Sequence, residues 1–164
     1  MNALMRRRGM MVNKQSMVLA YSMADPALWS MGVIATGLIR RGDQGGFSPN
    51  IWSYFSTKSI CTNNGICYPA ENLKYLSIDD GFVAIIALDA GRKYIGGSDL
   101  LSAGVIRLED LALKSYRADE ADVPYDSSVK YLQFSARKSN PISGSDGEKI
   151  TTAFAAEQNL RLYY

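Results

Sequence analysis

Residues 82–95 read FVAIIALDAGRKYI, and the fold turns on this stretch. Its first seven residues are apolar without interruption, too few for an ordinary helix, and they lie between the turn formers Asp79-Asp80-Gly81 and Asp89-Ala90-Gly91. A short apolar run with such borders predicts a strand buried on both faces. Asp89 to Arg92 can reverse the chain, with Gly91 at positive φ, and Lys93 to Ile95 can return antiparallel until Gly96-Gly97 stops them. The stretch predicts a core hairpin and contains no residue set with an evident chemical task.

Outward from the hairpin, the chain reads mainly as short strands. Leu73 to Ile78 predicts a strand that leads into it. Ser98 to Ala103 suggests one helical turn capped by Ser98, and Gly104 to Leu108 and Leu111 to Tyr116 either pair across Glu109-Asp110 or form a short helix. Arg117 to Asp126 is polar, contains Pro124 and predicts a surface loop. Val129 to Ala136 alternates, with Leu132, Phe134 and Ala136 inward. Ile150 to Phe154 alternates again, and Leu160 to Tyr164 predicts a closing strand. Towards the N-terminus, Ile51 to Phe55 is a strand by residue type, with Trp52 and Tyr54 on one face.

Many short strands separated by turn residues predict a mainly β fold, a single β-sandwich or jelly-roll-like domain over residues 47–164. Residues 25–46 predict either a helix or an extended connector. Asp25 as cap, Pro26 at the first helical position, Arg40-Arg41 in the last turn and Gly42 beyond it favour a helix over about residues 26–41. Gly32, Gly37, Val33, Ile34 and Thr36 favour its rival, a strand pair through residues 31–39.

The 164 residues carry a net charge of only +2, which exerts no general pull on nucleic acid, and no nucleic-acid partner is expected. The chain has no histidine, which removes the usual general base, the Ser-His and Cys-His nucleophiles and the commonest metal ligand. Two cysteines cannot make a structural zinc site alone. Neither a cofactor nor a metal is expected, and no residue set stands out as catalytic. Asp79-Asp80, Asp99 and Glu109-Asp110 offer carboxylates of the kind glycoside hydrolysis uses, with no spacing that selects a pair. Asp119, Glu120, Asp122 and Asp126 lack the spacing of a calcium loop and read as a solvated acidic surface. Arg41-Gly42-Asp43 spells an adhesion tripeptide that a helix end followed by a turn explains equally well.

Cys61 and Cys67 flank Asn63-Asn64-Gly65. A three-residue loop would set the thiols opposite one another as a disulfide, whereas a two-residue Asn64-Gly65 loop would put them on opposite faces. Trp52 and Tyr54 can stack on sugar rings as a glycan platform, or pack in a core or interface.

All seven methionines lie in the first 31 residues, and no acid precedes Asp25. Residues 1–24 therefore read as a basic, methionine-rich N-terminal arm. Arg6 to Arg8 and the small residues 22–24 resemble a secretory leader, but Asn13 to Ser16 break its apolar centre. Asp25-Pro26 likewise divides the apolar stretch below the length of a membrane span. The residues that would dock a partner are Met5, Arg6, Arg7, Arg8, Met10, Met11, Lys14 and Met17, the cations making charge-assisted contacts and the thioethers filling irregular apolar pockets.

The opening LMRRRGMM, residues 4–11, resembles the N-termini of structural and fibre proteins of tailed phages of gut bacteria, including crAss-like phages. The resemblance covers only these residues. It implies an N-terminal element that fixes the subunit to a virion, through other virion proteins or copies of itself, with a β-rich remainder facing outward. The expectation is a non-enzymatic structural or attachment protein of a virion. The alternative is an extracellular carbohydrate-binding module that uses Trp52 and Tyr54.

Overall fold

The structure, a computed structural model, describes residues 17–31, 33–34, 47–48, 60–114, 121–138 and 150–164. The strands in chain order are β1 (Leu19–Ser22), β2 (Ser30–Met31), β3 (Val33–Ile34), β4 (Phe47–Ser48), β5 (Ile60–Thr62), β6 (Tyr68–Pro69), β7 (Tyr75–Leu88), β8 (Tyr94–Gly97), β9 (Leu101–Arg107), β10 (Ala112–Leu113), β11 (Val123–Pro124), β12 (Tyr131–Arg137) and β13 (Arg161–Tyr163). A short helix, α1 (Thr152–Glu157), lies between the last two strands. The fold is mainly β and sandwich-like, as its residue pattern predicts. A nine-stranded sheet runs β1-β13-β7-β12-β5-β2, with β6 on β12 and β8 and β9 on β7, and β10-β11 and β3-β4 form two small pairs.

The predicted core strand is the second half of a longer one. β7 has fourteen residues, and its two edges are each lined by two strands. Tyr75 to Ser77 pair with β13, and Phe82 to Leu88 pair with β12. Along the other edge, β9 covers Tyr75 to Val83 with one interruption, and β8 covers Ile86 to Leu88. Asp79-Asp80-Gly81, expected to end a strand, instead forms a bulge inside this one: Gly81 has φ +71° and the register shifts between Ile78 and Phe82.

The bulge reverses which side chains face the main core. Before it Leu76 and Ile78 are in the core; after it Val83, Ile85 and Ala87 are. The opposite side chains, Ile86 and Leu88, join Tyr94 in a second cluster. The run from Val83 to Leu88 is buried on both faces, as its apolar continuity predicts. β12 alternates as expected, with Leu132, Phe134 and Ala136 in the main core, while Gln133 and Ser135 are buried on the other side.

Where β7 passes from β13 to β12 its edge has no strand partner, and Gln158 supplies one. Its carbonyl accepts from the Asp79 N–H at 2.8 Å, and its Nε2 donates to the carbonyls of Phe82 and Arg137. Gln158 is fully buried just beyond α1, whose N-terminus is capped by the Thr151 hydroxyl accepting from the Phe154 N–H. A buried amide in this place meets backbone groups that would otherwise be left dry and unpaired.

Four expectations are corrected. Among the described residues of the helix expected over about residues 26–41, the helical geometry is confined to a 3-10 turn, Pro26–Leu28, with Asp25 capping it. Trp29 is extended and buried, with Nε1 donating to the Met23 carbonyl at 2.9 Å, and the chain continues as β2 and β3. Burial of that indole draws the chain into extended geometry before a second helical turn forms. Ile150 to Phe154 belongs to the approach and first turns of α1 rather than to a strand. Residues 98–103 carry no helical turn, and β9 begins at Leu101. In the hairpin, Arg92 rather than Gly91 takes positive φ, at +61°, and Gly96 and Gly97 lie within β8.

A Cβ at position 81 would stand 1.9 Å from Gln158 Nε2. Gly81→Ala should cost about 3 kcal/mol, from the left-handed backbone and overpacking together. Gln158→Ala alone should cost about 1–2 kcal/mol through the carbonyls it strands. The double variant should lose less than the sum, read from urea unfolding as a double-mutant cycle.

Candidate functional site

Most of the residues expected to dock a partner, Met5, Arg6, Arg7, Arg8, Met10, Met11 and Lys14, lie outside the described residues, as do Trp52 and Tyr54. Met17 is described and half-buried just ahead of β1. The proposed boundary of the arm at residue 24 moves, because β1 pairs with β13 in the main sheet and the Met23 side chain is fully buried. The Met23 N–H donates to the Leu160 carbonyl at 2.9 Å. Residues 17–24 thus belong to the folded domain.

The two cysteines are free thiols. Asn64 and Gly65 both take positive φ, 61° and 72°, and the Ile66 N–H donates to the Asn63 carbonyl, which is the two-residue turn. Cys61 therefore packs in the main core and Cys67 against the second cluster. Burial pushes the Cys61 thiol up to about 11. It also raises Cys67, with Arg92 and Gln133 pulling the other way.

A cleft of about 780 Å³ opens beside the start of β7, within the range typical of ligand pockets. One wall is the turn after β6. There the Ala70 N–H donates to the Lys130 carbonyl at 2.9 Å, the Leu73 N–H to the Ala70 carbonyl at 3.1 Å, and Asn72 is left-handed with φ +64°. Lys74 then ties three segments together, its N–H donating to the Tyr163 carbonyl and its carbonyl accepting from Leu108. The opposite wall is the turn before β12, where Asp126 accepts from the Ser128 N–H and hydroxyl and the Lys130 N–H donates to the Leu88 carbonyl. The apolar lining comes from Ala70, Leu73 and Val129, all buried, and from the half-buried rings of Tyr75, Tyr125 and Tyr131. Arg92 lies over the Tyr131 ring, 5.1 Å from its centre, and steadies it.

The rim carries charges of both signs. Glu71, Glu109 and Asp126 stand with Lys74, Arg107 and Lys130, and Arg107 reaches Glu109 at 3.6 Å. The Ser128 hydroxyl and N–H hold the Asp126 carboxyl below the usual carboxylate range. Burial pushes the Tyr125 phenol up to about 12, and its hydroxyl has no hydrogen-bond partner among the described residues. The carboxylates offered by the sequence are divided: Glu109 lines this cleft, while Asp79 lines a separate shallow notch of about 410 Å³ with Glu157. Asp122 pairs with Lys114 at 3.0 Å. No group of three acidic or cysteine side chains among the described residues is placed to hold a metal.

The cleft tyrosines were not singled out from the sequence. The available signal was Tyr125, a large aromatic between Pro124 and Asp126 in a segment otherwise read as solvated. Such a ring in a polar turn needs cover or a ligand.

Tyr125→Phe removes a dry, unpaired hydroxyl and should leave the protein more stable by about 0.5–1 kcal/mol at neutral pH. The Cys61 thiol and Tyr125 phenol keep their protons in the fold beyond their ordinary values of 9.0 and 10.0. Stability should therefore be insensitive to both below pH 9 and should fall as pH rises from about 9 to about 12, because the unfolded chain releases those protons first. Melts against pH should show a shallower alkaline fall in Tyr125→Phe. A thiol reagent should label Cys67 in the native protein and Cys61 only on unfolding, and mild oxidation should not couple them. Comparison of the chain with protein families, curated proteins and solved structures finds no match.

Proposed function

We propose that this chain is a non-catalytic structural or attachment subunit of a phage particle, docked through residues 1–16 and the sheet edge they lead into. The observation that carries the reading is where exposed apolar side chains gather. Val18, Leu19 and Tyr164 are three of the four large hydrophobic residues exposed among the described ones. They adjoin one another, since the Tyr164 N–H donates to the Val18 carbonyl and Leu19 pairs with Tyr163. They lie where a segment with four cations, no acids and several methionines joins the domain. An apolar patch continuous with a basic, methionine-rich segment suits a protein partner better than solvent.

The edge position adds a mechanical argument. β1 is a terminal strand of the sheet, and it is bonded to β13, which is bonded to β7. A load applied to β1 would pass through β13 into the core strand. Repetition of the contact around a particle would multiply a modest affinity through effective concentration. The phage assignment itself rests on the resemblance of residues 4–11. No helix among the described residues is long and apolar enough to cross a membrane.

Two deletions test this. Removal of residues 1–16 should leave the melting transition within a degree or two, because those residues precede β1. Removal of residues 1–24 also strips β1 and Met23 and should cost about 3–5 kcal/mol. Incorporation into particles or native assemblies should be lost with the shorter deletion while the domain stays folded. Unchanged incorporation of that variant would sink the proposal.

A further inference from the structure

We infer that the cleft between the turn at residues 70–73 and the turn at residues 126–129 is a binding site for a neutral oligosaccharide. The inference rests on the attachment half of the function proposed above, and moves sugar recognition away from Trp52 and Tyr54.

The backbone around the cleft narrows the class of ligand. The N–H groups of Ala70, Leu73, Lys74, Val129 and Lys130 are already committed to carbonyls within the chain. Adding a peptide as an extra strand needs a row of unpaired N–H and C=O groups, which these turns do not offer. Recognition here falls to side chains.

Those side chains are tyrosine rings below and mixed charges above. Tyr75 and Tyr131 are half-buried and contribute to the wall, so each offers part of a ring whose body is already ordered. Ordered aromatic rings suit the C–H faces of sugars, at little cost in side-chain entropy. The rim has three carboxylates and three cations. Its charge cancels, so a polyanion meets Glu71, Glu109 and Asp126, and a polycation meets Lys74, Arg107 and Lys130. A ligand with many hydroxyls and no charge can donate to the carboxylates and accept from the cations together. The buried floor of Ala70, Leu73 and Val129 gives no further polar demand.

The test uses the full chain with tetra-N-acetylchitotetraose, cellotetraose, maltotetraose and mannotetraose as neutral probes, sialyllactose as an anionic probe and a tetralysine peptide as a cationic one. Binding is followed by amide chemical shifts and calorimetry. At least one neutral tetrasaccharide should shift residues 70–75 and 125–131 and bind at least about tenfold more tightly than either charged probe. Tyr75→Ala and Glu109→Gln should each weaken it about tenfold or more, equivalent to one good contact. Lys130→Ala, a change at an exposed rim residue, gives a third variant in which folding is not in question; it should also weaken binding. Glu109→Gln and Lys130→Ala, at exposed positions, should retain their melting transitions, whereas Tyr75→Ala, which loses a half-buried ring of β7, should melt somewhat lower while still folding. The inference is overturned by the absence of any shift at about 10 mM of each neutral probe, well above the millimolar range of weak binding. It is equally overturned by preferred binding of the peptide or the anion, or by sugar affinity that the cleft variants leave intact. Because particle incorporation of the deletion lacking residues 1–16 is measured separately, failure here leaves the docking proposal standing, and the reverse holds.

Discussion

The backbone of β7 must be satisfied along both edges for all of its length, and the rest of the sheet is arranged by that requirement. No single strand does so on either side. β13 and β12 lie end to end along one edge, and β9 and β8 along the other. The difficulty is the junction, where an interior strand faces a gap between neighbours. The fold meets it with a bulge at Asp79-Asp80-Gly81 and one buried glutamine, Gln158, that bonds to β7 and β12 at once. The Gln158 Nε2 stands in for missing strand backbone, while its Oε1 is buried without a hydrogen-bond partner among the described residues.

The same bulge explains why the two halves of β7 have different surroundings. β7 has three residues between Ile78 and Phe82 where β9 has one between Gly104 and Ser102, and across this bulge the core-facing set passes from even to odd positions. Leu76 and Ile78 and then Val83, Ile85 and Ala87 share the main core. Ile86 and Leu88 are freed to build a second cluster with Tyr94 and, at its margin, Cys67 and Tyr131. Tyr131 links this packing to the cleft: one ring borders the second cluster, carries Arg92, and contributes to the wall beside the start of β7.

How much of this was legible follows from the range of the signals. The apolar run at Phe82, the inward set Leu132, Phe134 and Ala136, the closing strand and the Asp25 cap are written in neighbouring residues, and each is found in the structure. The two-residue Asn64-Gly65 turn was one of two open readings, and its consequence for the thiols holds. A bulge and a strand end have the same composition, so Asp79-Asp80-Gly81 read as a stop. Residues 150–154 alternate over too short a window to reveal the capped helix that Thr151 starts. The cleft was harder still. Its walls come from residues 69–75, 107–109 and 125–131, which are brought together by the pairing of β6 with β12 and of β7 with β9.

The position of β13 bears on the order in which the molecule assembles. Among the described residues, β13 is the one partner of β1 in the sheet and also borders β7, yet it follows the other strands in the chain. Sequence-distant closures of this kind are slow, because loop entropy is lost before contacts return it. During synthesis β1 and the buried Met23 would wait, exposed and unpaired, until residues 160–163 emerge. The interval is a hazard, since an unpaired apolar strand invites wrong neighbours. The basic residues just ahead of it supply like-charge repulsion between nascent chains at the stage when the strand has nothing to pair with.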